Sequence, residues 1–209
     1  IATDAVAGLT GRQMVALGTR GASALTTGQI QSLSTAQLNS MNRAEFGALS
    51  ADQLNALTSD QIGALGASQV SALNVTQLAG LNTSQLTQLA GQQVQALTTA
   101  QIAGLTGTQV AALTTDQVAS LKANQVKAIE TADLRTMLTG QIVAMNRNQV
   151  ASLTYGQLAA LETNQVAAIE TQDLSGLTGA QLASLSSTQV RALGTDQIAS
   201  LQAGKLAAM

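Results

Sequence analysis

Leu113-Thr114-Thr115-Asp116-Gln117-Val118-Ala119-Ser120, followed by Leu121, is one period of a pattern that occupies the whole sequence. Moving outward from Leu113 in steps of eight, Leu, Ile or Met stands at all 27 positions from Ile1 to Met209. Five residues after each comes a second apolar residue in all 26 octads, from Val6 and Met14 to Leu206, with Ala22 the smallest. Gln precedes that residue in 20 of 26 octads, and Ala, Ser or Gly precedes the next Leu in 24 of 26, Gln88 and Thr136 being the exceptions. Internal repetition on this scale decides the architecture before any single element is read.

A continuous helix does not fit. Apolar spacings of five and three average four residues per turn against a natural 3.6, so the stripe would drift by about 80° per octad. The helix must break once in each octad, and the residue after Leu marks the place. It is Thr, Ser, Asn or Gly in 18 of 26 octads, all good N-cap residues. Three residues later stands the Gln, which makes Thr-x-x-Gln a capping box. Each octad therefore reads as a capped helix of about six residues followed by a sharp corner. Such a helix is too short to persist alone. Stacked, the Val and Leu positions line a shared core, and the small residue between them permits close approach of a neighbouring backbone. The expected fold is all-α: a tight alpha-solenoid of octapeptide repeats held by nearest-neighbour contacts, one array over residues 1–209. A β-solenoid is the alternative, since Val, Ile and Thr suit strands. Ala, Gln and the absence of a period of two argue against it. The number of octads in one coil stays open.

Composition narrows the function. The 209 residues include no Cys, Pro, Trp or His, and only Tyr155 and Phe46 are aromatic. A 45% hydrophobic fraction built from Ala, Leu, Val and Ile points to a thin core made of many small contacts, because a thick one would draw on aromatics. A charged fraction of 10% and a net charge of −2 do not serve phosphate-driven binding, so no nucleic acid is expected. No apolar run nears the roughly 18–20 residues that cross a bilayer, so no membrane insertion is expected. Ile1 onward shows no signal-peptide pattern; the expectation is a fragment or processed part of something longer. The octad phase also lacks polar end caps, which suits a longer chain or end-to-end polymerisation.

The pattern weakens at a few points. Gly18-Thr19-Arg20-Gly21-Ala22 loses the Gln and the large aliphatic, which reads as a drifted repeat, with a kink or edge as the sharper alternative. Lys122, Lys127, Glu130, Asp133, Arg135, Arg147, Glu162, Glu170 and Asp173 cluster in one stretch of the chain and read as solvated surface. Glu130 with Asp133, and Glu170 with Asp173, share the wording Ile-Glu-Thr-x-Asp-Leu and read as acidic variants of the capping box. Leu138 puts an apolar residue at a cap position, either extending the core or marking a lateral contact.

No catalytic, cofactor-binding or metal-ligating residue is assigned. His and Cys chemistry is absent, and the 11 acidic residues are scattered without a pocket to shift their pKa values. The abundant Ser and Thr lack a base and read as caps. An enzyme is not expected, nor any cofactor.

The wording Leu-Thr-x-x-Gln-Val at Leu113 to Leu121, and its variant at Leu161 to Ile169, resembles the start of each repeat in transcription-activator-like effectors. Those repeats are about 34 residues long and carry a Pro and a base-reading loop that this sequence lacks, so DNA binding is not carried over. As a whole the chain resembles the low-complexity Thr/Gln/Ala/Leu arrays of large bacterial surface or secreted adhesin and filament proteins. That resemblance implies an extracellular or cell-surface structural role as a rod, stalk or filament, with self-association end to end or laterally. The alternative is a repetitive binding module for a periodic ligand such as surface polysaccharide or ice. The position before Gln changes freely among Asp, Ala, Thr, Ser, Asn and Gly, which disfavours a periodic ligand face. An intracellular interaction scaffold is a third reading, and an apolar concave face would mark it.

Overall fold

Capping is where sequence becomes structure. Thr114 is extended (φ −71°, ψ 159°) and its Oγ1 accepts the Gln117 N–H at 3.1 Å, while Gln117 Oε1 accepts the Thr114 N–H at 2.9 Å. This reciprocal box starts the helix Thr115–Ser120. Leu121 is again extended (φ −57°, ψ 142°) and ends it. Two consecutive extended residues, Leu then the cap, make the corner. That corner needs no left-handed glycine: among the described residues only Gly18 has a positive φ (65°).

The computed structural model describes residues 2–207; Ile1 and Met209, the outermost residues of the eight-residue phase, lie outside the described residues. Each octad contributes one helix, from α1 (Thr3–Ala7) to α26 (Ala203–Leu206), 26 among the described residues, and none of those residues lies in a strand. The chain is all-α, and the β-solenoid alternative is set aside. The helices are four to six residues long. Where the cap side chain accepts no backbone N–H, as at Ala90, Lys122, Leu138, Glu162 and Gly194, the Gln still accepts the cap N–H at 2.6–2.9 Å. In these octads Gln supplies its half of the box without help from the cap side chain.

The chain forms two compact units, Ile1–Leu105 and Thr106–Met209. In each, a helix packs against the one three further on. In the first unit α1 meets α4 (Thr27–Ser32), and α3 (Gly18–Ser23) meets α6 (Arg43–Gly47). In the second, α14 (Gly107–Ala112) meets α17 (Thr131–Leu134), and α19 (Arg147–Ala151) meets α22 (Thr171–Leu174).

The second tie between coils comes from the Gln amide. Gln53 Nε2 donates to the carbonyl of Leu25, 28 residues earlier, at 2.7 Å and to that of Ala22, 31 earlier, at 2.9 Å. Gln61 and Gln93 do the same in the first unit, and Gln141, Gln149 and Gln189 in the second. The corner Leu carbonyl has left its own helix and must find a donor; the Gln of the next coil supplies it. A separation of 28 residues is three and a half octads, so each helix lies across the corner between two helices of the coil before it.

The interior is filled by the Leu and Val positions and the stem of Gln. Val6, Met14, Ile30, Phe46, Val118 and Leu158 are buried, as are Leu33, Leu49, Leu121 and Leu161. The small residue before Leu meets the first helical residue of the octad 29 positions earlier. Sizes there are matched: Val75 lies against Gly104, Arg147 against Gly176, and Thr136 against Gly107.

The octad at Gly18–Ser23 differs in its corner. Leu17 is helical (φ −63°, ψ −32°) and joins α2 (Gly11–Ala16) to α3. Its carbonyl accepts the Gly21 N–H at 3.2 Å. The residue 28 positions on is Glu45, which has no amide to donate and instead accepts the Asn42 N–H at 2.9 Å. The local-kink reading fits this corner better than simple drift.

Candidate functional site

Three of the eight octad positions face inward, and function has to be sought on the others. The residue before Gln is exposed at Asp52, Asp60, Asp116 and Asp196, and the cap residues Thr58, Thr98 and Thr114 are exposed too. The Thr and Ser hydroxyls at caps accept backbone N–H groups, as Thr154 Oγ1 does from Gln157 at 3.1 Å. Among the described residues no group of three metal-ligating side chains converges, and no helix is long and apolar enough to cross a membrane.

Of the charged residues singled out above, Lys122, Lys127, Glu130, Arg135, Arg147, Glu162 and Glu170 are exposed. Arg135 pairs with Glu162 across neighbouring coils on the surface. Asp133 and Asp173 correct the reading of this set as solvated surface. Both stand at the Gln position; Asp133 is half-buried and Asp173 is 4% exposed. Nor do they form capping boxes: the helices begun by Glu130 and Glu170 carry no side-chain cap hydrogen bond. Asp is one methylene shorter than Glu or Gln, and two neighbouring carboxylates repel, so the reciprocal geometry is lost.

These positions lack an amide to reach the preceding coil. Near Asp133, Thr136 Oγ1 supplies a donor, to the Gly107 carbonyl at 2.8 Å. Lys205, a cation at the Gln position, donates from Nζ to the Ser175 carbonyl at 2.7 Å. Burial raises the Asp173 pKa above the ordinary 3.8; Glu170 raises it further and Arg147 opposes. Asp133 shifts the same way through burial and Glu130.

The folded state therefore holds protons on these carboxyls at pH values where the unfolded chain has released them. The destabilisation is complete above the folded pKa and disappears as pH falls through it towards 3.8. Asp173→Gln restores an amide donor facing the Ile142 and Met145 carbonyls. It is expected to stabilise the second unit by about 1–2 kcal/mol at neutral pH and to flatten its acid gain. Denaturant unfolding of the full chain at neutral and mildly acidic pH checks this; a variant as pH-dependent as the parent would refute it.

The exposed apolar residues are few. Leu138 is 63% exposed, so it does not extend the core. Val143 is exposed as well, and Tyr155 is 58% exposed. Tyr155 borders an open groove in the second unit with Ala123, Asn124, Lys127, Leu153 and Thr178. Reading the sequence one octad at a time could not assemble this groove, because its walls come from segments about 28 residues apart. The available signal was Tyr155 itself, the single Tyr, at an octad position elsewhere held mostly by small or hydroxyl residues.

The ALTTAQ repeat family matches the chain at residues 36–67, 43–75, 88–123, 126–163 and 166–203. No curated protein matches it.

Proposed function

We propose that the chain, which belongs to the ALTTAQ repeat family, is a non-catalytic structural repeat protein that serves as a rod, stalk or filament segment outside the bacterial cell. One observation carries this reading: the Gln tie. Within each unit, successive coils are fastened by Gln side chains at a 28-residue spacing, onto backbone carbonyls. A connection that reads the backbone is indifferent to its neighbours' side chains and can be repeated without limit. It resists separation of the coils, which is what a load-bearing spacer requires. Free variation at the exposed position before Gln supports the same conclusion, since a periodic ligand face would hold one residue type there. Self-association, end to end or lateral, extends the role.

Immunogold labelling of the native protein on intact cells, followed by electron microscopy, tests the proposal. Label on thin surface rods or fibres is the expected result, with an axial spacing of about 10 Å from stacked helices. Label confined to the cell interior, or on compact particles, would overturn it.

A further inference from the structure

We propose that the groove beside Tyr155 binds an acidic polysaccharide strand, with Tyr155 as the stacking platform and Lys127 meeting a uronate carboxylate. The site adds a ligand to the second unit and does not depend on whether the chain acts as a rod.

The groove is built from three successive coils. Ala123, Asn124 and Lys127 come from α16 (Ala123–Ala128), Ala151 from α19, Tyr155 from α20 (Tyr155–Ala160), and Thr178 and Gln181 from the start of α23 (Gly179–Leu182) and its cap. Crossing several coils, it accommodates an extended ligand. Ala123, Ala151 and Leu153 form an apolar lining, and Tyr155 presents an exposed aromatic side chain. Such surfaces suit the C–H faces of sugar rings.

The polar groups are divided in an informative way. Gln181 Nε2 already donates to the Ala151 and Leu153 carbonyls, each at 2.9 Å, and its Oε1 accepts the Thr178 N–H at 2.9 Å. The Thr154 N–H is taken by Gln157 Oε1 at 2.9 Å. These backbone groups are committed, so the groove lacks the open ladder that an added peptide strand would use. Among the described residues, the side chains of Asn124, Lys127 and Tyr155 make no hydrogen bond or ion pair. They leave an amide, an ammonium and a phenol for a ligand rich in hydroxyls. The lining holds one cation and no carboxylate, although acidic residues outnumber basic ones in the chain, 11 to 9. That local balance favours a sugar acid over a neutral sugar.

The chain has one Tyr and no Trp, so its tyrosine emission reports on this groove directly. Titration of the full chain with oligogalacturonate is expected to change that emission saturably, and added salt should weaken the response. Lys127→Gln should weaken binding about fivefold, in line with one exposed ion pair. Tyr155→Ala, followed by calorimetry, should weaken it about tenfold through lost stacking. Both residues are exposed, and unchanged helical circular dichroism would show that the variants fold. No saturable response to oligogalacturonate overturns the proposal. An equal response to neutral dextran oligosaccharides removes the role of Lys127, and a stronger one to polyglutamate assigns the groove to an acidic peptide; either result overturns the proposal.

Discussion

Gln149→Glu is expected to destabilise the second unit by about 3–5 kcal/mol at neutral pH, the scale of a buried charge left facing unfavourable partners. Gln149 Oε1 accepts the Asn146 N–H at 2.8 Å, and its Nε2 donates to the Val118 and Leu121 carbonyls at 2.7 and 2.8 Å. A carboxylate keeps the first bond and turns a second oxygen towards two carbonyl oxygens. The Leu121 carbonyl loses its donor, whereas Val118 retains the Leu121 N–H at 3.1 Å. Protonation restores a donor, so the new carboxyl has a folded pKa above its unfolded value. Its penalty is complete above that folded pKa and recedes as pH falls through it. Gln149→Leu removes the side-chain bonds without burying charge and should cost about 2–3 kcal/mol at every pH. Coils are stabilised chiefly by their neighbours, so amide exchange around Leu121 and Asn146 is the sensitive measurement, beside denaturant unfolding. A Glu variant no less stable than the Leu variant at neutral pH would show that the amide does not fasten the coils.

Gly104→Ala should destabilise the first unit by about 1–3 kcal/mol, a typical cost of overpacking. A Cβ at residue 104 would lie 2.0 Å from Val75 Cγ1, so one coil must shift or the valine must leave its rotamer. The second substitution decides the cause. Val75→Ala in the same chain empties that space and should recover most of the loss. A general dislike of Ala at this position cannot explain such a rescue, because 14 other octads carry Ala there. Thermal unfolding of the two single variants and the double variant gives the coupling directly. Additive losses would place Val75 and Gly104 apart and reject the 29-residue match between coils.

Much of the fold was legible because its signals are local. The Thr114–Gln117 box, the break at Leu121 and the burial of Val118 all follow from interactions within one octad, and repetition multiplied each signal along the chain. The irregular octads were legible as irregularities only. Gly18–Ala22 announced a weak repeat, but the helical Leu17 corner depends on what the next coil offers, and there Glu45 offers no donor. Asp133 and Asp173 looked like surface charges because they fall in a stretch whose other charged residues occupy variable positions. Their interior placement follows from the Gln position they occupy, whose inward face serves a contact some 28 residues distant.

By itself, then, the sequence determined the unit: a short capped helix, an extended corner, an apolar pair facing inward and a variable side facing water. Capping and burial within eight residues depend on nearest neighbours along the chain, so they can be read from spacing. Tertiary structure decided how the units wind. Three and a half octads per coil, the Gln amide seated on carbonyls 28 and 31 residues back, the size match of Val75 with Gly104, and the groove beside Tyr155 all depend on the angle of the corner. That angle is the sum of small dihedral differences in two extended residues. No residue type specifies it alone, and packing between coils selects it.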